Sequence, residues 1–246
     1  MKRALLTASF LALSTAAHAQ MVFDGADITV DSVFPFGGAF EDSIKIGATG
    51  RAAISFGNVG IQADMGYDTL TGGDAPSSFY SWDAGFHTYY KISETAKVGA
   101  FYTTEDLDEL GQYSTFGVEA MLGFGKLDVE LSIAGSGGDV DDLTIVSVDG
   151  YYQINDALEV SAGVSSYLFD SEDISMASIG VDYTLANLPV SFGTAYTHSF
   201  SSGGDLSADS ISVNVSYSFG GNGSERLFKN RNFDYLDLLY SIGFEG

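Results

Sequence analysis

The stretch Asp209-Ser-Ile-Ser-Val-Asn-Val-Ser-Tyr-Ser-Phe-Gly220 decides the fold class of this chain. Its apolar side chains alternate with serine and asparagine from Ser210 to Phe219, which is the period of a β-strand whose successive side chains point to opposite faces. Such a strand has one apolar face and one polar face. The apolar face must contact either a second sheet, as in a soluble sandwich, or lipid, as in a membrane barrel.

Similar alternating segments, bounded by Gly, Asn, Asp or Ser, occur along the whole chain. Almost no part of the chain has the apolar period of a helix. The alternating segments predict twelve strands, at 27–35, 42–56, 59–70, 80–92, 96–104, 112–124, 126–136, 143–154, 157–168, 173–185, 188–200 and 209–219. The segment 27–35 is the least regular, because its alternation is short and Pro35 ends it.

The connections between these strands alternate in length. Tight turns at 57–58, 93–95, 125, 155–156 and 186–187 alternate with longer loops at 71–79, 105–111, 137–142, 170–172 and 201–208. This alternation is typical of an antiparallel up-and-down barrel in a bacterial outer membrane, with the short turns on the periplasmic side. Single-chain barrels of this kind have an even number of strands, and counting 27–35 gives twelve.

The polar faces favour a barrel over a sandwich. They combine Gly, Ser, Thr and isolated charges of both signs, which suits a narrow, wet interior better than a face turned to bulk water. We therefore predict an all-β transmembrane barrel over 20–219, followed by a C-terminal extension at 220–246.

The N-terminus predicts secretion. Met1-Lys2-Arg3, the apolar run 4–12 and the small residues of Ala17-His18-Ala19 are the parts of a signal peptide that is cleaved after residue 19. From this signal peptide and the predicted barrel together, we expect the protein to be located in the bacterial outer membrane.

Composition excludes several functions. The chain has 33 Asp and Glu against 10 Lys and Arg, so it repels nucleic acid, and it has no cysteine for disulfides or thiolate metal sites. Acidic loops at 105–109, 139–142 and 170–173 lack the ligand spacing of a dedicated calcium site, so no metal and no cofactor is predicted.

At this point the chain resembles the porin-like β-barrel proteins of Gram-negative outer membranes. The resemblance covers 27–219 as a pattern and is sharpest at Val213, Val215, Tyr217 and Phe219, which is similar to the aromatic-ended last strand that the family's assembly machinery recognises. It implies insertion by that machinery, contact with outer-membrane lipid and lipopolysaccharide, and passage of small ions or solutes. In the family this strand usually ends the chain, whereas here residues 220–246 follow.

Charged side chains at inward positions are the candidate pore-lining residues. A basic arc is predicted from early strands and an acidic wall from later ones, and the full set is Lys45, Arg51, Asp64, Asp83, His87, Lys91, Lys97, Glu119, Asp128, Glu130, Asp149, Glu159 and Asp182. Opposed charges across a bore can orient solutes in transit. The same charges could instead pair and fill a closed barrel.

The tail at 220–246 is predicted to be periplasmic or inserted in the barrel as a plug. The break at 220–224 precedes three basic residues, Arg226, Lys229 and Arg231, that could engage the acidic wall. Residues 234–244 fit either a further strand or a short amphipathic helix.

Three functions follow, in decreasing order of support. The first is a passive channel biased to cations, and the second is a non-conducting structural or surface-interaction barrel plugged by its charges and tail. The third is a membrane hydrolase, which we disfavour: lipases among the barrels place serine two residues after histidine, and Phe200 stands there after His198. No enzyme is therefore predicted, and the sequence indicates neither the solute nor an oligomeric state.

Overall fold

The computed structural model describes residues 20–36, 42–72, 79–108, 111–138, 143–169, 173–203, 207–220 and 226–229. Twelve strands are formed within them: β1 (Met21–Pro35), β2 (Ser43–Phe56), β3 (Val59–Gly72), β4 (Tyr80–Ser93), β5 (Ala96–Leu107), β6 (Gly111–Phe124), β7 (Leu127–Gly138), β8 (Thr144–Asn155), β9 (Leu158–Leu168), β10 (Ile174–Thr184), β11 (Val190–Ser201) and β12 (Ser207–Phe219). The predicted signal peptide at 1–19 and the segment 234–244 lie outside the described residues.

The strands close into a barrel. Each strand pairs with its neighbours in sequence, and β1 pairs antiparallel with β12, from Ala26 opposite Phe219 to Pro35 opposite Ser210. The prediction of an all-β, up-and-down barrel with twelve strands is confirmed. Among the described residues, no helix has the length and apolar character needed to cross a membrane.

The first strand begins at Met21, six residues before its predicted start at 27. A register shift between Phe23 and Gly25 marks a β-bulge, and Gly25 has φ +148°. A bulge inserts one residue into the strand, so the alternation of side chains is interrupted there. The interrupted period conceals the beginning of β1 in the sequence.

The two faces of the sheet invert the pattern of a soluble protein. Outward side chains are large and apolar, with Met65 at 69% and Ile179 at 62% exposed, whereas Lys45, Asp64 and Glu130 are buried inside. A continuous apolar exterior of this kind requires an apolar surrounding, which for a closed barrel is the hydrocarbon of a membrane.

The two ends of the barrel differ. Short connections, including the turns at Gly57 and Gly125 with φ of +62° and +71°, lie at one end, which we call the turn end. The opposite end, where β1 leads to β2 and β3 leads to β4, is called the loop end. Since β12 finishes at the turn end, the tail leaves the barrel wall there.

Candidate functional site

The interior of the barrel is divided into a packed half and an open half. On β3 to β7 the inward side chains are long and almost completely buried: Gln62, Asp64, His87, Tyr89, Phe101, Glu119, Met121 and Glu130. On β9 to β12 many of the inward positions carry small groups instead: Ser161, Gly180, Ser191, Ala195, Ser212, Asn214, Ser216 and Ser218. Because these side chains are smaller, space remains along the inner face of β9 to β12.

A cavity of about 840 Å³ occupies that space. Its lining begins with Phe219 and Gly220 at the turn end and includes Asp83 and Glu105 near the loop end. The cavity thus follows β1, β2 and β9 to β12 from the turn end and reaches β3 to β5 near the loop end.

The tail re-enters the barrel. Residues 226–229 lie inside it, and Phe228 is fully buried. The side-chain amide of Gln62 holds the backbone of Phe228 at two points: Gln62 Nε2 donates to the carbonyl oxygen at 2.8 Å, and the Phe228 N–H donates to Gln62 Oε1 at 2.9 Å. This pairing fixes both the position and the direction of the segment, much as a β-ladder does.

The ring of Phe228 has its own seat among residues of β4, β5 and β6. It stacks on the His87 ring, with centroids 6.1 Å apart and planes at 5°, and meets the edge of Tyr89 at 5.7 Å. Lys97 Nζ lies 4.4 Å from its centroid, and Met121 belongs to the same buried cluster. Burial of a phenylalanine side chain contributes about 1.5–3 kcal/mol, so this contact is a strong local anchor.

Three predicted lumenal residues form one buried network beneath this seat. His87 Nδ1 lies 2.8 Å from Glu119 Oε1, and His87 Nε2 lies 2.9 Å from Asp64 Oδ2. Asp64 Oδ1 also accepts a hydrogen bond from Gln62 Nε2 at 2.9 Å. The network therefore continues, through the amide of Gln62, to the backbone of the tail.

The basic groups of the tail contact the acidic wall. Arg226 pairs with Glu159, lies 3.4 Å from Asp128 Oδ2, and places its guanidinium carbon 4.0 Å from the centroid of the Tyr151 ring. Burial by itself lowers the pKa of Arg226, but the charge of Glu159 and the hydrogen bond to it outweigh that effect and raise the pKa above its ordinary value. The guanidinium is therefore permanently charged.

The next contacts of the tail involve Lys229 and the carbonyl group of Arg226. The backbone N–H of Lys229 donates to Glu130 Oε1 at 3.2 Å, and its Nζ lies 4.6 Å from the Tyr151 centroid. Lys97 Nζ donates to the Arg226 carbonyl oxygen. Arg231, the third predicted plug residue, lies outside the described residues.

Three basic residues of the predicted arc lie beside acidic partners on other strands of the barrel. Lys45 is 3.6 Å from Asp68, Arg51 is 2.9 Å from Asp27, and Lys91 is 3.1 Å from Asp24. Of these partners, Asp24 and Asp27 flank the bulge in β1, so the alternation of the sequence did not single them out as lumenal. The charges of Lys45, Arg51 and Lys91 are consequently matched by carboxylates of the barrel wall.

The remaining predicted lumenal carboxylates lie over inward glycines. A Cβ at Gly66 would be 2.0 Å from an oxygen of Asp83, one at Gly163 would be 2.2 Å from Asp149, and one at Gly193 would be 2.2 Å from Asp182. Glycine at these positions gives each carboxylate room to lie along the wall instead of projecting into the bore.

The histidine and serine at the loop-end rim point to opposite faces. His198 is on the outer face with Nδ1 2.8 Å from Asp209 Oδ1, whereas Ser199 is buried on the inner face. The pair is therefore not assembled as a nucleophile and its base. Among the described residues, no group of three or more His, Cys, Asp or Glu is arranged to hold a metal ion.

Solved outer-membrane proteins share this fold. The NanC porin aligns with a TM-score of 0.61 at 13% identity, covering 77% of this chain and 98% of that one. The KdgM porin aligns with a TM-score of 0.53 at 10% identity over 79% and 99%, and outer membrane phospholipase A from Escherichia coli with 0.55 at 11% identity over 79% and 96%. No family model and no curated protein matches the sequence. At these identities the similarity is one of fold, the porin-like outer-membrane barrel.

Proposed function

We propose that this protein is an outer-membrane channel for the passive diffusion of ions and small hydrophilic solutes, with a preference for cations. The observation that carries the proposal is the polar cavity of about 840 Å³, which is lined from the turn end to the loop end and passes beside the tail. Hydroxyl, amide and carboxylate groups along this cavity can replace part of the water around a solute.

The charge of the lining supports the preference for cations. Among the described residues that line the cavity, nine carry a carboxylate and four carry a basic group. A cleft lined mostly by one sign of charge raises the local concentration of the opposite sign, and low-dielectric walls strengthen this effect. The interior should therefore be richer in cations than the solution outside.

The excess of carboxylates in the lining also bears on the class of solute that the channel would pass. A KdgM porin was solved in complex with disordered oligogalacturonate, which is a polyanion. The excess of carboxylates in the present interior opposes entry of such a molecule. We expect neutral or cationic solutes instead.

The direct test is recording from the purified protein in a planar bilayer under a salt gradient. We expect discrete conductance steps and a reversal potential with the sign of a cation-selective pore. Absence of conductance would contradict the channel, and a reversal potential of the opposite sign would contradict the cation preference.

A plugged structural barrel is the second candidate, and the buried contacts of Phe228 are the observation that favours it. On this hypothesis the native protein does not conduct, and the Phe228→Ala variant, in which the tail loses its anchor, does. Conductance of the native chain decides for the channel.

The orientation and assembly of the protein are part of the proposal. Cleavage of residues 1–19 on export, insertion by the barrel-assembly machinery and contact with lipopolysaccharide at the loop end are consistent with the short turns facing the periplasm. On this orientation the tail enters the barrel from the periplasmic side.

A further inference from the structure

The position of the tail inside the barrel has a consequence for the path of solutes. We propose that residues 226–229 form a fixed inner wall of the pore, confine solutes to a crescent along β9 to β12 and β1, and supply basic groups to the lining of that crescent. The inference rests on the proposed function for its electrical consequence, but not for the position of the tail.

The packed half of the barrel closes one side of the interior. Phe228 fills the space between His87, Tyr89 and Met121, and Gln62 bonds both backbone groups of Phe228. With these side chains nearly or fully buried, the tail is packed directly against β3 to β6. A solute cannot pass on this side while the tail is seated.

The other side of the tail faces the cavity. Arg226, Leu227 and Lys229 line it together with the small polar residues of β9 to β12. The wall opposite the tail is rich in hydroxyl groups, among them Ser161, Ser212 and Ser216. The tail and this wall are thus the two sides of one passage.

The tail also changes the charge of the passage. In the described strands β6 to β12 there is no lysine or arginine, although Asp128, Glu130, Asp149, Glu159 and Asp182 face inward there. The basic charges near these carboxylates come from the tail: Arg226 contacts Asp128 and Glu159, and Asp182 interacts electrostatically with both Arg226 and Lys229. The tail therefore moderates a field that would otherwise be strongly negative.

Single cysteines provide a test that does not depend on conduction, because the chain has none of its own. Ser161→Cys lies on the crescent and Met121→Cys lies behind Phe228. With a small, charged thiol reagent on the folded, detergent-solubilised full chain, we expect Met121→Cys to react roughly tenfold more slowly, since a buried thiol is shielded from the reagent. Adding Phe228→Ala should abolish most of this difference, whereas adding Phe228→Leu should preserve it. Equal rates in the otherwise native chain would overturn the inference.

A second test measures ion selectivity in a planar bilayer. The test variant combines Arg226→Gln with Lys229→Gln, and the matched control is Lys126→Gln, at an exposed turn. Loss of the two tail charges should raise the cation-to-anion permeability ratio several-fold, and loss of Lys126 should leave it nearly unchanged. An unchanged ratio in the double variant would overturn the electrical role of the tail in the crescent. If cysteine labelling gives the expected result but the protein never conducts, the proposed channel function is refuted. The position of the tail as an inner wall is then still supported.

Discussion

Phe228 and Gln62 show how single residues position the tail. One glutamine side chain satisfies both the N–H and the C=O of Phe228, and a buried backbone group without a partner is costly. The alternation of β3 predicts that Gln62 faces inward. It cannot predict that Gln62 meets a residue 166 positions away, because that contact depends on how the tail folds back.

The Phe228→Ala variant should release the tail while leaving the barrel folded. Loss of a buried phenylalanine costs about 3–5 kcal/mol, and a short segment that loses its buried anchor opens locally rather than with the whole domain. We expect trypsin to cleave the variant after Arg226 much faster than the native chain, with little change in the thermal unfolding of the barrel. Phe228→Leu, which keeps an apolar anchor, should remain protected. Equal rates of cleavage in the native protein and the Phe228→Ala variant would contradict the anchoring of the tail by the Phe228 ring.

Gly60 is required by the ring that lies over it. A Cβ at this position would be 2.1 Å from Cζ of Tyr89, whose hydroxyl donates to Asp24 at 2.6 Å and whose ring contacts Phe228. We expect Gly60→Ala to lower the free energy of unfolding by about 1–3 kcal/mol, because overpacking displaces the ring. Gly50→Ala, whose Cβ has its nearest neighbour at 3.9 Å, is the control. Equal urea unfolding of the two variants in lipid vesicles would count against this packing.

At the scale of the element, β12 and β1 mark what a sequence can and cannot predict. The regular alternation of β12 predicted its strand correctly, and its outward residues Val213, Val215 and Tyr217 are exposed on the apolar face. The strand paired with it, β1, was only partly predicted, because the bulge at Gly25 shifts the period. The wall could thus be predicted from periodicity, whereas its irregular start required the pairing with β2 and β12.

The alternation in β12 makes a prediction about two adjacent positions. Val213 lies near the middle of the strand on the outer face, and Asn214 is its neighbour on the inner face. Lysine on the lipid face near the midplane costs about 2–4 kcal/mol, whereas a lumenal lysine contacts water and acidic groups. Val213→Lys should therefore destabilise the barrel in lipid vesicles by about that amount, and Asn214→Lys by much less. A similar loss in both variants, measured by urea unfolding, would mean that the outer face is not in hydrocarbon.

At the scale of the whole molecule, the interior is a balance of charges that no single strand reveals. The sequence shows the excess of acidic residues and predicts the sign of the field. It does not show that Lys45, Arg51 and Lys91 lie beside acidic residues of other strands, because that depends on how the strands come together in the closed barrel. As a result, a basic group of the tail, Arg226, is the one that contacts the acidic wall at Asp128 and Glu159.

The acidic excess predicts a dependence on salt. Asp31 and Asp182 line the cavity from β1 and β10, and a unit charge about 10 Å from an ion in water contributes roughly 0.4 kcal/mol. Each charge attracts a cation and repels an anion by this amount, so replacing both, by Asp31→Asn with Asp182→Asn, should lower the cation-to-anion permeability ratio by roughly fifteenfold in dilute salt. Asp209→Asn removes an acidic group on the outer face, where it contacts His198, and is the control.

The effect of the two lumenal substitutions should depend on salt. Because the screening length falls from about 30 Å at 0.01 M to about 3 Å at 1 M, the change in the permeability ratio should be largest in dilute salt and nearly vanish in concentrated salt. A ratio that ignores the two lumenal substitutions, or one that shifts as much with Asp209→Asn, would show that the interior carboxylates do not set the selectivity.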